Sequence, residues 1–398
     1  MTATDATAFP APSGAPAGKT AGPAFVSGST LAPSPPPSTV VGPRAWMREH
    51  LFTGPVNIAL TIVIALMLAW LIPPFIRFVL IDAVWSGANR DVCIYTPERT
   101  AVGACWAFIW DRAAYFTYGS YPVAERWRVN VFFALLAIGV VWLLNLKAPR
   151  RDLGAVYFFI LLPILSFVLL VGVPAFGLRK IETNLWGGIL VTIVCSAVGI
   201  VVSLPLGIVL ALGRRSTMPA AKLFSVIFIE FVRGVPLITV LFMASVMLPL
   251  FVPDYLQPDK LLRALVGIAL FAAAYMAEVV RAGLQALPRG QYEGAMAMGL
   301  SYWQMMGLVV LPQALKITIP NIVNTYIGLF KDTTLVVIVG IFDFLKTIEA
   351  ARIDPTWGAP TVSATGYLYA AVFYFICCYL MSRYARGVEA RLARADKR

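Results

Sequence analysis

Charged side chains are scarce in this chain of 398 residues. Lys, Arg, Asp and Glu make up 13% of it, while hydrophobic residues make up 59%. Soluble domains have about 25% charged residues. A single water-soluble core cannot hide this much apolar surface, so the composition excludes an ordinary soluble globular protein.

Histidine and cysteine are scarce too. The one histidine, His50, lies before the first long apolar run, and the five cysteines show no metal-ligand spacing. A membrane-embedded enzyme needs a nucleophile, a base or a metal cluster in or beside the bilayer. We therefore predict no enzymatic activity and no metal site. Segment 14–20 has three residues between its glycines where a phosphate-binding loop has four, so we expect this chain to bind no nucleotide or other cofactor.

Long apolar runs predict an all-α integral membrane protein. A helix needs about 20 apolar residues to cross a bilayer, and about eight segments suit this role. They are 56–77, 130–147, 155–174, 187–211, 222–250, 262–286, 306–329 and 366–386. The segment 222–250 is long enough to be tilted or kinked, and Gly234 and Pro236 mark the expected kink.

The distribution of charge predicts the orientation. With the amino terminus in the cytoplasm, the inner segments carry a large excess of Lys and Arg, whereas the outer segments nearly balance. This is the asymmetry that the positive-inside tendency predicts for a multi-span membrane protein with both termini in the cytoplasm. The net charge of +12 is thereby explained by contact with the bilayer, without nucleic acid.

Composition divides the chain into four parts. Residues 1–45, rich in Ala, Pro, Ser and Gly, are predicted to be a disordered cytoplasmic tail. Residues 46–183 form an N-terminal extension with three spans and an aromatic-rich outer loop at 78–129. Residues 184–390 hold the remaining spans and every motif below, and 391–398 form a basic cytoplasmic tail.

Two cysteines lie in the outer loop. Cys93 and Cys105 are predicted to be outside the membrane, where an oxidising compartment permits a disulfide bond. Two free thiols are the alternative. The other three cysteines lie in apolar spans and are expected to be buried and inert.

A polar, glycine-marked loop at 288–312 interrupts the apolar segments. Small side chains at Gly294 and Ala295 let two backbones approach closely, and Gly299 permits a turn that most residues resist. Pro312 favours the start of a new helix over its interior. The spacing closely resembles the cytoplasmic loop of ABC-importer membrane subunits that docks on a separate ATPase; an ordinary loop between spans is the alternative. Its marker residues are Glu293, Gly294, Ala295, Gly299, Leu311 and Pro312.

Two acid–base pairs flank apolar segments. Glu230 and Arg233 stand three residues apart, as do Glu278 and Arg281, so each pair shares a helix face. We interpret both as structural ion pairs that brace helix ends, with substrate contact as the alternative. The carboxylates lie near predicted span ends. The span interiors therefore lack the acids that a secondary transporter needs to couple uptake to an ion gradient.

A second polar segment follows the loop, at 324–334. Non-helical backbone inside a membrane is tolerated where it lines a cavity, and a broken helix offers groups that bind a zwitterion. The hypothesis is that this segment lines the substrate path, with Lys331 and Asp332 complementing the two charges of an amino acid. A helix end at the outer interface is the alternative. The candidate path residues are Asn324, Lys331, Asp332, Thr333 and Thr334.

Five short motifs occur in order along the chain. They are Glu230 to Leu237, Ala277 to Gly283, Pro288 to Glu293, Leu311 to Ala314 and Lys331 to Leu335. Together they resemble the polar amino-acid family of ABC uptake permeases, the histidine and glutamine permease type. The front-end segments 83–87, 104–108 and 121–128 resemble the second extended permease of proteobacterial general L-amino-acid importers.

The resemblance implies a permease with a type I ABC-importer core of five helices that moves L-amino acids inward with broad specificity. It also implies a second homologous permease, an ATPase dimer that holds ATP and Mg, and a periplasmic amino-acid-binding protein. Gly294 stands where the family usually has Ala, and Val240 stands where Gln is common. The second departure places the pocket mainly in the partner permease if that Gln contacts substrate. The alternative function is an ion-gradient-driven secondary transporter.

Overall fold

The computed structural model describes residues 42–97, 101–145, 148–253, 255 and 257–395. Within these ranges the secondary structure is almost wholly helical. The helices are α1 Pro43–His50, α2 Pro55–Ile76, α3 Trp106–Tyr118, α4 Arg126–Leu144, α5 Arg151–Val156, α6 Leu162–Val171, α7 Gly188–Arg214, α8 Pro219–Gly234, α9 Leu237–Phe242, α10 Leu248–Phe251, α11 Lys260–Ala286, α12 Arg289–Ala297, α13 Tyr302–Gln304, α14 Leu311–Asp332, α15 Phe344–Ala351 and α16 Pro360–Ala395. The strand β1, Phe342–Asp343, pairs in parallel with Gly187 and Gly188.

Seven helical runs among the described residues are long and apolar enough to cross a membrane, and an eighth results if a bent pair counts as one span. The prediction of an all-α membrane protein with about eight spans is confirmed. The predicted carboxy-terminal tail begins inside α16, which continues to Ala395, so 391–395 are helical.

The chain separates into two compact units, Met1–Pro73 and Pro74–Arg398. The predicted boundary at residue 183 falls inside the second unit. Most of the predicted tail, up to residue 41, lies outside the described residues. Its predicted end at 45 is corrected, because α1 already begins at Pro43, a residue suited to the first helical turn.

The predicted span 222–250 is broken rather than merely kinked. Helix α8 and the helical run Leu237–Phe251 meet at an angle of 106°. Val235 has φ −112° and ψ 135°, an extended conformation, because the residue before a proline is disfavoured in the α region. Pro236, which has no backbone N–H to give to a helix interior, separates the two segments.

Wide π-helical turns precede three prolines in the described spans. The turns Tyr157–Leu161, Met243–Met247 and Met305–Val310 are followed by Pro163, Pro249 and Pro312. Pro312 lies in the first turn of α14, as predicted, although α14 follows the π-helical turn directly and one helical run continues from Tyr302 to Val339. A proline ring clashes with the carbonyl one turn earlier, and the wider turn relieves that clash.

Small residues bring α7, α11 and α14 together in the second unit. A Cβ added at Gly207 would lie 2.8 Å from Met276 Cβ, and one at Gly283 would lie 2.7 Å from the carbonyl oxygen of Ala314. Such close approach between membrane helices needs residues without bulk. These three helices form the scaffold from which α12 projects.

The sulfur atoms of Cys93 and Cys105 are bonded in the structure. Both residues are fully buried beside Phe108 and Trp357 in one apolar cluster. The loop they close is short, with a sequence separation of 12.

Replacing both cysteines with alanine is expected to lower the free energy of unfolding by about 3 kcal/mol, because the cross-link restricts the unfolded chain. Chemical denaturation of the purified subunit in mixed micelles measures this change. A Cys377→Ala variant, which loses a free thiol, is the matched control. Alkylation of all five cysteines in the denatured protein without reductant would contradict the bond.

Candidate functional site

The short helix α12 projects from the end of α11. Leu287 and Pro288 are extended and separate the two helices. Gly299 has φ +77° just beyond α12, in the left-handed region that glycine adopts most readily. The amides of Met298, Gly299 and Leu300 donate to carbonyls of the last turn of α12. Such bonds satisfy the exposed end of a helix.

One side of α12 is held firmly to the neighbouring helices. The Tyr292 hydroxyl donates to the carbonyl of Leu284 at 2.8 Å and lies 3.2 Å from Arg215 Nη1, which donates to it. Gln313 Nε2 donates to Gln291 Oε1 at 2.9 Å. These bonds connect α12 to α11, to the residue that follows α7, and to α14. Sequence analysis missed them, since long-range partners leave no spacing signal.

The predicted marker residues divide between the two sides of α12. Ala295 is buried, and Leu311 packs against the same apolar cluster. Glu293 and Gly294 are exposed, and no heavy atom outside the local helix lies within 4 Å of a Cβ added at Gly294. The exposed side therefore offers a carboxylate beside a residue without bulk, which suits close docking of another backbone.

Three arginines near the membrane ends converge on Glu278 in α11. Arg214 Nη1 lies 2.7 Å from Glu278 Oε1, and Arg281 Nη2 lies 2.7 Å from Glu278 Oε2. Arg233 Nη1 lies at 3.9 Å. The predicted pair of Glu278 and Arg281 is present, and Glu278, with 15% of its side chain exposed, is the centre of the network.

The predicted pairing of Glu230 with Arg233 is corrected. Glu230 Oε1 accepts from Arg214 Nη2 at 2.8 Å. The Arg233 guanidinium instead lies over the Tyr275 ring, 5.6 Å from its centroid. Arg233 is in the last turn of α8, where its side chain faces α11. The network therefore joins α7, α8 and α11 at the end of the bundle that carries α12.

The backbone at 324–334 differs from the expected broken helix. Helix α14 continues through Asp332, and a 3-10 turn, Thr333–Val339, follows it directly. The Thr333 hydroxyl donates to the carbonyl of Phe330 at 2.8 Å, and the Thr334 hydroxyl donates to that of Lys331 at 3.0 Å. These bonds satisfy the carbonyls, so the helix tightens instead of breaking. Asn324 and Lys331 are exposed, whereas Thr333 is buried.

A buried carboxylate without a sequence signal lies just beyond this segment. Asp343 caps α15, accepting from the amides of Leu345 at 3.1 Å and Lys346 at 3.0 Å. Burial raises the pKa of Asp343 to about 6, although these amide bonds lower it. Because Asp343 caps a helix, its burial is accounted for by a structural role. Within the ranges described above, no cluster of three metal-ligating side chains occurs.

Comparison with known proteins gives consistent matches. A family described as "Binding-protein-dependent transport system inner membrane component" matches residues 203–394. The inner membrane amino-acid ABC transporter permease protein YhdY of Escherichia coli K12 is 46% identical over 91% of this chain and 96% of that protein. The glutamate/glutamine/aspartate/asparagine transport system permease protein BztC of Rhodobacter capsulatus is 40% identical over 93% and 98%. The shorter glutamate/aspartate import permease protein GltK of Escherichia coli O157:H7 is 33% identical over 52% and 93%.

Proposed function

The chain belongs to the amino-acid permeases of ABC importers, inner-membrane components of binding-protein-dependent transport systems, and from this premise we propose that α12 couples it to its ATPase. It is a transport subunit with several membrane spans and not an enzyme. ATP is hydrolysed by a separate chain of such a system, and the family implies a binding-protein partner.

The exposed side of α12 carries the proposal. Glu293 and Gly294 are open to a partner, while Tyr292 and Gln291 are bonded to neighbouring elements. A displacement of α12 is therefore transmitted directly to α11 and α14 through these hydrogen bonds. In the proposed cycle, ATP closes the ATPase dimer, α12 moves with it and the helices open outward to accept substrate. Hydrolysis returns them to the inward state.

The finer assignments follow from this proposal. The substrates are L-amino acids of more than one side-chain class, as the name of the Rhodobacter relative suggests for that protein. The partners are a second permease, an ATPase dimer holding Mg and ATP, and a periplasmic binding protein. The shorter relative matches only about half of this chain. That match supports a core at 184–390 preceded by an extension at 46–183. With α12 in the cytoplasm, both termini are cytoplasmic as well.

Purification of the tagged chain from its native membranes tests the assembly. We expect an ATPase and a second permease to co-purify, and the reconstituted complex to import amino acids with ATP and binding protein. A chain that purifies alone and drives uptake in liposomes without ATP would support the secondary-transporter alternative and overturn the coupling proposal.

Glu293→Lys is expected to reduce binding-protein-stimulated ATP hydrolysis at least tenfold, because reversing a charge at a docking surface juxtaposes like charges or removes a polar contact. The measurement is ATP hydrolysis by the complex in nanodiscs. Glu389→Lys, a charge reversal on the exposed side of α16, is the control and should behave as wild type. Full stimulation in Glu293→Lys would count against the proposed role of α12.

Lys331→Ala tests the substrate path proposed for 324–334. If the Lys331 ammonium contacts the substrate carboxylate, its removal should raise the KM for uptake by roughly tenfold, the value of one charge-assisted hydrogen bond. Uptake into proteoliposomes measures KM. Lys316→Ala removes another exposed ammonium group from α14 and serves as control. Unchanged kinetics and stability in Lys331→Ala would eliminate the path assignment for this residue.

A further inference from the structure

A cleft of about 540 Å³ lies beside the first turn of α11. Three segments form it: the π-helical turn Met243–Met247 with α10, the start of α11, and the end of the 3-10 turn Thr333–Val339. Ligand pockets typically enclose about 300–1,000 Å³, so an amino acid fits. Helix α11 has 27 residues and is therefore about 40 Å long, which places the cleft at the opposite end of α11 from α12.

Two cationic side chains line this cleft. Lys260 and Arg263 are one helical turn apart, on the same face of α11. Among the residues that the structure describes, neither takes part in an ion pair, and the Nε and Nη1 atoms of Arg263 are buried without a hydrogen-bond partner. The Arg263 side chain is half-buried, and leaving buried donors of a charged group unpaired is costly, so the arrangement is suited to an anion.

The neighbouring acid does not neutralise them. Asp259 accepts from the Thr183 hydroxyl at 2.7 Å and from the amides of Leu261 and Leu262 at 2.9 and 3.4 Å. Its oxygens thus cap α11 and hold the segment before α7. The first-turn amides are occupied by this cap, and an anion in the cleft must be bound by side chains.

The uncharged polar groups of the cleft agree with this requirement. Ser245 is 7% exposed, and its hydroxyl has no partner among the described residues. Gln257 braces the wall, since its Nε2 donates to the carbonyls of Pro249 and Val252. Gly340 has φ +68°, and a Cβ there would lie 3.0 Å from Lys260 Nζ. The glycine leaves room for the ammonium group.

We propose that this cleft binds the carboxylate of the amino-acid substrate at the outer mouth of the permease. The Arg263 guanidinium can donate two parallel hydrogen bonds to one carboxylate, with Lys260 adding charge and Ser245 a hydroxyl donor. The inference rests on the proposed function. It further implies that basic amino acids are the least favoured substrates here, because their side chains place another cation near Lys260.

The test uses the permease–ATPase complex in nanodiscs without binding protein. Binding is measured from the rise in the unfolding midpoint on titration with L-glutamine and with 4-aminobutanamide, which lacks only the α-carboxylate. We expect L-glutamine to bind and 4-aminobutanamide not to bind. Arg263→Gln should raise the Kd for L-glutamine at least tenfold. Arg263→Lys keeps the charge but cannot donate two parallel hydrogen bonds, so its Kd should be intermediate between those of the wild type and Arg263→Gln.

Two further variants keep the test decisive. Lys260→Gln changes an exposed residue and should weaken binding even if Arg263 variants fail to fold. Arg179→Gln, an exposed cation outside the cleft, should bind as wild type. Equal binding of 4-aminobutanamide, an unchanged Kd in Arg263→Gln and Lys260→Gln, or no binding to wild type overturns the site.

Uptake by the wild-type complex, with ATP and binding protein, separates this inference from the proposed function. If uptake is normal but the Kd for L-glutamine is unchanged in Arg263→Gln and Lys260→Gln, only the carboxylate site is refuted. Absence of ATP-driven uptake of any amino acid refutes the proposed function on which the site depends.

Discussion

Gly294→Leu is expected to reduce coupled transport at least tenfold while leaving the subunit folded. Among the described residues, no heavy atom outside the local helix lies within 4 Å of a Cβ at this position, so a side chain has open space there. Glycine is also a poor helix former, by about 0.8–1.0 kcal/mol relative to alanine. The substitution therefore costs α12 nothing. A bulky side chain would instead hold a docking ATPase away from Glu293.

The measurement is binding-protein-stimulated ATP hydrolysis together with amino-acid uptake in proteoliposomes. Gly294→Ala should retain coupling, because a single methyl group adds little bulk at a position with open surroundings. Gly387→Leu, at another glycine with open surroundings and an exposed position in α16, should also behave as wild type. Full coupling in Gly294→Leu would show that this side of α12 is not closely approached.

The turn that ends α12 was predictable because its features are local. Gly299 adopts the left-handed conformation that a turn at this position requires, and a Cβ added at Gly294 would have open space around it. The roles of Tyr292 and Arg215 were not predictable, since the hydrogen bond between them joins residues 77 positions apart. Periodicity reports which face of a helix is apolar, but it does not report which distant residue meets that face.

The prolines illustrate the same limit in another way. Pro236 separates two helical segments, whereas Pro312 lies within a continuous run. Both residues lack the backbone N–H, so their sequence signals are alike. What differs is the preceding backbone: extended at Val235 and π-helical over Met305–Val310. The outcome depends on packing, which a local pattern does not contain.

Glu278→Gln is expected to lower the free energy of unfolding by about 3 kcal/mol, as found when one partner of a largely buried ion pair is removed. Arg214 and Arg281 each lie 2.7 Å from the Glu278 carboxylate. Glutamine would leave these guanidinium groups close together at the membrane end with no charge between them. Denaturation by sodium dodecyl sulfate in mixed micelles measures the loss.

Glu230→Gln is the matched control, because Glu230 shares Arg214 with Glu278 but is 54% exposed. Solvent screens its single ion pair, so the loss should be below about 1 kcal/mol. Equal losses in the two variants would contradict a network centred on Glu278. A large loss confined to Glu278→Gln would mean that one carboxylate holds α7, α8 and α11 together beside α12. The ends of these helices would then move as one body when the ATPase displaces α12, so the same contact would serve stability and transmission.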